Sequence, residues 1–254
     1  MDRSVYIGLD PRELDAYRVA LRSMLAHSAE PPERRYALDL AKLTKAKAYS
    51  RPTMKIDGQL WDCISEAPMS TEFAISRFLV PYLCRQTGQH TGLALFIDCD
   101  MMFRAPVEEL FALADPTKAV QVVKHDYEVT STTKMDGQKN VPYRRKNWSS
   151  VMLFNLDHPA IHNLTIAKVN SWAGRNLHGF DWLEDQFLGD LPPEWNHLVG
   201  VNPPDPNAKL VHFTLGVPSM AGYENCEHAA EWWSYPQPAI LAEQHRPSPE
   251  CRLH

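Results

Sequence analysis

Leu93-Ala94-Leu95-Phe96-Ile97-Asp98-Cys99-Asp100 is a run of five apolar residues that ends in two carboxylates flanking a cysteine. The run has no polar alternation, which is the pattern of a strand buried on both faces of an α/β sheet. Ligands of such open sheets bind beyond the carboxyl ends of the strands, and Asp98 and Asp100 stand at that end. Carboxylates suit Mg²⁺ or Mn²⁺, which hold substrate phosphates through one or two protein carboxylates and waters. The competing reading of an Asp-x-Asp triplet is a pair of solvated turn carboxylates.

Working outward, Val5-Tyr6-Ile7-Gly8-Leu9 is a second short apolar run, stopped by Asp10-Pro11. Leu14, Tyr17, Leu21, Met24 and Leu25 then fall on one helical face, giving strand, turn and helix. Tyr36 to Leu43 reads equally as strand or helix. Ser70-Thr71-Glu72 is a helix start, followed by Ile75, Phe78, Leu79, Tyr82 and Leu83 at helical spacing, with a kink at Pro81 and an end at Thr87-Gly88. Ala119 to Val123 and Val151 to Phe154 are further buried strands. Alternating strands and helices predict an α/β sheet with helices on both faces. One domain is expected over residues 1–243, loop-rich in its proline-dense second half, with a frayed tail over 244–254.

A chain of 254 residues that is 44% hydrophobic can bury a core without staples. The 26 basic and 31 acidic residues give a net charge of −5, so no global positive field attracts nucleic acid, which is not an expected partner. Five cysteines with no Cys-x-x-Cys pair argue against a disulfide framework and against a zinc knuckle. No apolar run approaches the roughly 18 residues of a membrane span, and the N-terminus lacks an apolar signal core. A cytoplasmic location is the expectation.

Ile97-Asp98-Cys99-Asp100-Met101 after an apolar strand, followed by Val107-Glu108-Glu109-Leu110-Phe111, resembles the signature of family 8-type glycosyltransferases. Ile7-Gly8-Leu9-Asp10 with its helix, Arg77, Glu184-Asp185-Gln186 and Leu210-Val211-His212-Phe213 follow in the same order, over roughly residues 4 to 220. The resemblance implies a GT-A fold, a Rossmann-like mixed sheet flanked by helices. It also implies Asp98, Asp100 and His212 as ligands of a divalent cation, Mn²⁺ or Mg²⁺, that bridges the donor's diphosphate. Gly8, Leu9 and Asp10 would face the nucleotide, with Tyr17 stacking nearby and Cys99 and Arg77 among the donor-contacting positions. For Asp10-Pro11, a helix N-cap with proline at the first helical position explains both residues equally well. Arg77, in an apolar segment, either pairs with a carboxylate or phosphate or reaches to water. By the same resemblance Asp185 grips donor-sugar hydroxyls and Gln186 lies near the anomeric carbon, which favours retention. Glu184-Asp185 matches instead the base pair of inverting enzymes, and a solvated acidic helix start is the structural alternative.

Two departures stand out. Asn147-Trp148-Ser149-Ser150 replaces an Asn-Ala-Gly-type turn, so Asn147, Ser149 and Ser150 are the candidate donor-sugar contacts. After His212 the expected Lys-Pro-Trp is absent, and backbone amides near Gly216 would replace its lysine only in part. The polar stretch from Lys124 to Lys146, with Lys134, Lys139, Arg144, Arg145 and Lys146, reads as a lid or acceptor-binding element, or as a solvated loop. Trp61, Trp172, Trp182, Trp195, Trp232 and Trp233 are open between core packing and sugar stacking. The expected function is metal-dependent transfer of a hexose from a nucleotide sugar, a UDP-sugar first, to the hydroxyl of a glycan, small molecule or protein, with retention. The alternatives are a sugar-phosphate nucleotidyltransferase, disfavoured by the lack of a Gly-rich phosphate loop after the first strand, and a non-catalytic binder of nucleotide sugar or a protein partner.

Overall fold

The computed structural model describes residues 1–126 and 144–236. The N-terminal half runs β1 (Arg3–Leu9), α1 (Leu14–His27), β2 (Arg34–Asp39), α2 (Leu40–Lys45), β3 (Thr53–Ile56), β4 (Gln59–Asp62), β5 (Ala67–Pro68), α3 (Val80–Gln86) and β6 (Leu93–Ile97). It continues through β7 (Met101–Phe103), α4 (Val107–Ala112), β8 (Val120–Val122), β9 (Val151–Asn155), α5 (Ile166–Ser171) and α6 (Gly174–His178). The last elements are β10 (Leu188–Asp190), β11 (His197–Leu198), β12 (Leu210–His212) and α7 (Ala229–Trp233).

Six strands form one mixed sheet in the order β10-β8-β9-β6-β1-β2. β1 is parallel to β2 and β6, whereas β9 is antiparallel to both β6 and β8. All five residues of β6 are buried, as its unbroken apolar run requires of a central strand. Val5, Tyr6 and Ile7 of β1 and Met152 and Phe154 of β9 flank it in the same core. Each such side chain contributes about 1.5–3 kcal/mol when removed from water. A second, smaller sheet, β11-β12-β7, covers a separate apolar cluster of Ala16 and Val19 from α1 with Met102, Val211 and Trp232. The antiparallel ribbon β3-β4-β5 forms the third sheet.

The ambiguous stretch Tyr36 to Leu43 is both things: β2 ends at Asp39, whose carboxylate accepts the Lys42 amide (3.1 Å) and so caps α2. The helix expected from Ser70 begins later. Residues 71–75 are turns, Ser76–Leu79 is a 3₁₀ segment, and α3 starts at Val80 with Pro81 in its first turn. Proline there lacks only an amide that would have no helical partner, so it starts the helix and kinks nothing. The tail expected over 244–254, with Lys134 and Lys139 of the expected lid, lies outside the described residues. No described helix is long and apolar enough to cross a membrane.

Candidate active site

Asp98 follows β6 immediately, and its amide donates to the Ser150 carbonyl (3.0 Å), which ties the end of β6 to the start of β9. The chain then turns into β7, which pairs antiparallel with β12 so that His212 stands opposite Met101. The Phe213 amide donates to the Asp100 carbonyl (2.9 Å). This register carries His212 across more than a hundred residues of sequence to the two aspartates. One ligand atom from each of Asp98, Asp100 and His212 lies within 4.8 Å of the others, with His212 Nε2 3.4 Å from Asp100 Oδ1.

The chemistry of this donor set fits a divalent cation. Asn196 donates through Nδ2 to the Ser150 hydroxyl (2.8 Å) and to the Asn147 carbonyl (3.3 Å), which orients its amide. Its Oδ1 therefore faces His212 Nδ1 at 2.9 Å, and that ring nitrogen must carry the proton. In the neutral ring this leaves the lone pair on His212 Nε2, on the side of Asp100, as in metal-ligating histidines held by an outer hydrogen bond. Two carboxylates and one imidazole suit Mn²⁺ or Mg²⁺ better than a thiol-seeking metal.

Arg77 is buried and lies 2.8 Å from Asp98 Oδ1, and it also donates to the Ser149 carbonyl (3.0 Å) and, through Nε, to the Phe73 carbonyl (3.4 Å). Its guanidinium also rests over the Phe73 and Phe96 rings, 5.3 and 5.0 Å from their centroids. Of the two readings open for Arg77, pairing holds. One arginine balances one of the two aspartates, so a dication would leave the site net positive and ready for an anionic diphosphate.

The cleft at this cluster is lined by several expected residues: Arg77, Asp98, Asp100, Asn147, Ser149, Ser150 and His212. Asn147 adopts the left-handed conformation (φ +63°) that asparagine tolerates well. The Ser149 hydroxyl shares a 2.7 Å hydrogen bond with His178 Nδ1, and the Ser150 hydroxyl donates to the Asn147 carbonyl (2.6 Å). Lys146 of the expected lid also lines the cleft, as do Arg175 and His178, which sequence reasoning missed. Burial pushes the His178 imidazole down to about 3, helped by the nearby Arg77 charge, so the ring is neutral.

The residues at the end of β1 are engaged internally. Asp10 accepts from the Arg12 amide (2.9 Å), Arg12 Nε (3.0 Å), Arg12 Nη2 (2.8 Å) and the Glu72 amide (3.1 Å), which is the N-cap arrangement. A Cβ on Gly8 would sit 2.6 Å from the Phe73 ring, so the missing side chain makes room for packing. Leu9 and Tyr17 are buried. Burial and the neighbouring Cys99 push the Tyr17 hydroxyl up to about 12. Cys99 is buried and donates to Glu13 Oε2 (3.2 Å), a carboxylate that shares a recess with Asp100. Gly216 lines a recess that adjoins the cleft at Asp100, but its Cβ position is filled by the Tyr223 ring at 2.5 Å.

Glu184, Asp185 and Gln186 are not brought to this cleft. Leu188 is in register with Val120, then Phe154, then Ala94, so residues 184–186 lie towards the amino end of β6 while Asp98 lies past its carboxyl end. All three are exposed: Gln186 Nε2 donates to Glu184 Oε2 (2.8 Å), and Asp185 pairs with Arg145 (2.6 Å). Arg144 likewise pairs with Asp181 (2.6 Å), so these two basic residues of the expected lid brace a neighbouring turn. Trp182, Trp195 and Trp232 are core residues, whereas Trp233 is exposed.

No protein-family model matches the chain. Among solved structures it is similar to the apo form of the glycosyltransferase GlyE from Streptococcus pneumoniae TIGR4, with a TM-score of 0.55 and 14% identity over 92% of this chain and 60% of that one. Galactosyltransferase LgtC, solved in complex with donor and acceptor sugar analogs, superposes with a TM-score of 0.52 at 13% identity, covering 92% of this chain and 95% of LgtC. The bifunctional glycosyltransferase WbbM gives 0.53 at 13% identity, and the chain spans only 51% of its length. At this identity the likeness speaks for the fold, which is the GT-A fold with its mixed sheet. Protein CDI of Arabidopsis thaliana is 38% identical over 233 residues, which is 90% of this chain and 83% of that protein. With that much identity over nearly its whole length, the chain belongs to the family of Protein CDI.

Proposed function

We propose that the chain is a metal-dependent glycosyltransferase that moves a hexose from a nucleotide sugar, a UDP-sugar first, to an acceptor hydroxyl. The observation that carries this reading is the meeting of Asp98, Asp100 and a His212 with bare Nε2 at the carboxyl end of the central strand of a GT-A sheet. Asp98, Asp100 and His212 would hold Mn²⁺ or Mg²⁺, which supplies Lewis-acid stabilisation of the charge that grows on the departing diphosphate. Arg77 limits the carboxylate repulsion within the ligand set and fixes Asp98. Lys146 and Arg175 add positive charge on the cleft wall, and we assign to them the diphosphate contact expected from the absent lysine after His212. Asn147, Ser149 and Ser150 offer polar groups for the donor sugar on the same wall.

Retention is the proposed stereochemistry. Among the described residues, the carboxylates that line the cleft are Asp62, Asp98 and Asp100: Asp62 pairs with Arg51, Asp98 with Arg77, and Asp98 and Asp100 are the two assigned to the cation. None is placed to serve as an uncommitted general base, which an inverting displacement needs. In the retaining route the bond from the anomeric carbon to phosphate breaks, the bond to the acceptor oxygen forms on the same face, and the acceptor proton passes to the leaving phosphate oxygen. The retaining assignment rests on these cleft carboxylates, because Asp185 and Gln186 stand outside the cleft.

Calorimetric titration of UDP-sugars into the chain with Mn²⁺ tests the reading, comparing wild type with Asp100→Asn. Binding that needs Mn²⁺ and vanishes in a folded Asp100→Asn variant is expected. Equal donor affinity in the two proteins overturns the metal assignment.

A further inference from the structure

A second cluster of metal-ligating groups lies apart from the cleft. His197, Glu227 and His228 bring one ligand atom each to within 4.8 Å of one another. His197 Nε2 is 3.2 Å from Glu227 Oε2, and His228 Nε2 is 3.1 Å from Glu227 Oε1. Zinc bonds of about 2.0–2.1 Å to nitrogen and oxygen, arranged tetrahedrally, put neighbouring ligand atoms about 3.3 Å apart. Each histidine nitrogen therefore stands at ligand-to-ligand distance from one oxygen of the Glu227 carboxylate. His228 Nε2 is buried and makes no hydrogen bond despite its nearness to the carboxylate, so its lone pair or proton is left without a hydrogen-bond partner inside the cluster. On its other side His228 Nδ1 faces Glu231 Oε2 at 3.7 Å, and Glu231 is itself held by Arg104 Nε at 2.8 Å. Glu231 thus stands on the side where an outer support of a histidine–metal bond would lie, though beyond hydrogen-bond distance. The two histidine rings meet edge to face, 6.1 Å apart.

We infer that His197, Glu227 and His228 form a second metal centre, separate from Asp98, Asp100 and His212, that takes Zn²⁺. Two imidazoles and one carboxylate match the donors zinc accepts, with a fourth position for water, and a set with nitrogen in the majority disfavours the oxygen-preferring Mg²⁺ and Ca²⁺. Its place in the fold gives it a structural task. His197 opens β11 directly after Asn196, the residue that orients His212, and Glu227-His228 leads into α7, whose Trp232 fills the second apolar cluster. A cation there would fasten the segment before α7 to the strand that carries Asn196. This inference does not depend on the transferase reading.

The test uses the full chain, free of any histidine tag, in an Asp98→Asn/Asp100→Asn background that disables the first cluster. After chelator treatment, Zn²⁺ titration and Co²⁺ absorption spectra are recorded. One equivalent of metal with the spectrum of tetrahedral Co²⁺, displaced by Zn²⁺, is expected. His228→Asn should weaken Zn²⁺ binding more than tenfold, and asparagine suits the left-handed backbone at this position (φ +62°). Failure to bind an equivalent of metal in the background protein, or binding unchanged by His228→Asn, overturns the proposal. Zn²⁺ X-ray absorption on the unsubstituted cluster needs no second folded variant: two imidazole ligands are expected, and an all-oxygen shell overturns it.

Discussion

Replacing Asn196 with alanine separates the support of His212 from the ligands themselves. The Asn196 amide makes three hydrogen bonds, to His212 Nδ1 (2.9 Å), the Ser150 hydroxyl (2.8 Å) and the Asn147 carbonyl (3.3 Å), all at a buried position. A typical intramolecular hydrogen bond contributes about 1 kcal/mol net, so the variant loses about 3 kcal/mol of stability. For a chain of this size each kcal/mol shifts Tm by roughly 2–4 °C, which gives a fall of roughly 6–12 °C. Without its acceptor, His212 no longer has its proton fixed on Nδ1, and loss of such an outer partner weakens metal binding about 10–100-fold. That is about 1.4–2.7 kcal/mol of binding free energy. Mn²⁺ affinity follows from the paramagnetic signal of the free ion, measured well below the variant's Tm, with thermal unfolding followed by circular dichroism. A second variant destabilised to a similar extent away from the cluster must keep wild-type Mn²⁺ affinity. If Asn196→Ala binds Mn²⁺ as tightly as wild type does, the argument from tautomer to ligand is wrong.

Gly8→Ala supplies that control: its methyl would meet the Phe73 ring at 2.6 Å, costing about 1–3 kcal/mol, and Gly8→Ala/Phe73→Leu should regain most of the loss in urea unfolding. Asp62 is paired with Arg51 with both side chains buried, so Asp62→Asn should cost about 3–5 kcal/mol in denaturant melts. Burial pushes the Asp62 carboxyl up, but hydrogen bonds from Arg51 and Ser65 outweigh this and hold it below the usual range. Its stabilisation is therefore complete above the ordinary carboxylate pKa and is lost as pH falls through the lowered one, so acid unfolding of Asp62→Asn should lack that component. His178, held down at about 3 by burial, stays neutral where the unfolded chain binds a proton. Stability should then fall with pH from about 6.5 towards 3 by up to about 1.4 kcal/mol per pH unit. His178→Gln should flatten that slope, and NMR of the imidazole should show a neutral ring at mildly acidic pH.

The central strand was legible from Leu93 to Ile97 because an unbroken apolar run has one use in a covered sheet, and the structure ends β6 at Ile97. The Asp98–Asp100–His212 grouping was readable only through a resemblance, since nothing local links residues more than a hundred apart. The strand pairing that joins them is a tertiary fact. Asn196 could not be found from sequence: an asparagine after a tryptophan becomes a support only when β11 lies beside β12. Arg175 was hidden for the same reason in a five-residue helix, and Lys146 was legible only as part of a basic polar run, not as cleft wall. Glu184-Asp185-Gln186 could not be placed from sequence, because a short acidic turn looks the same whether it opens on a ligand cleft or leads into an edge strand. Here it precedes β10 at the edge of the sheet. Gly8 and Asp10, which the resemblance turns towards a nucleotide, have a phenylalanine ring and an arginine beside them, partners no local pattern announces.

Glycosyl transfer is tested most directly by nucleoside diphosphate release from a panel of UDP-, GDP- and other nucleotide sugars, with and without Mn²⁺, for wild type and Asp100→Asn. Slow release from one donor is predicted, dependent on the cation, absent in the variant, and giving a free sugar whose first-formed anomer keeps the donor's configuration. Release that persists in Asp100→Asn, or Mn²⁺-dependent binding of a nucleotide sugar with no release even when acceptors are supplied, would contradict the account.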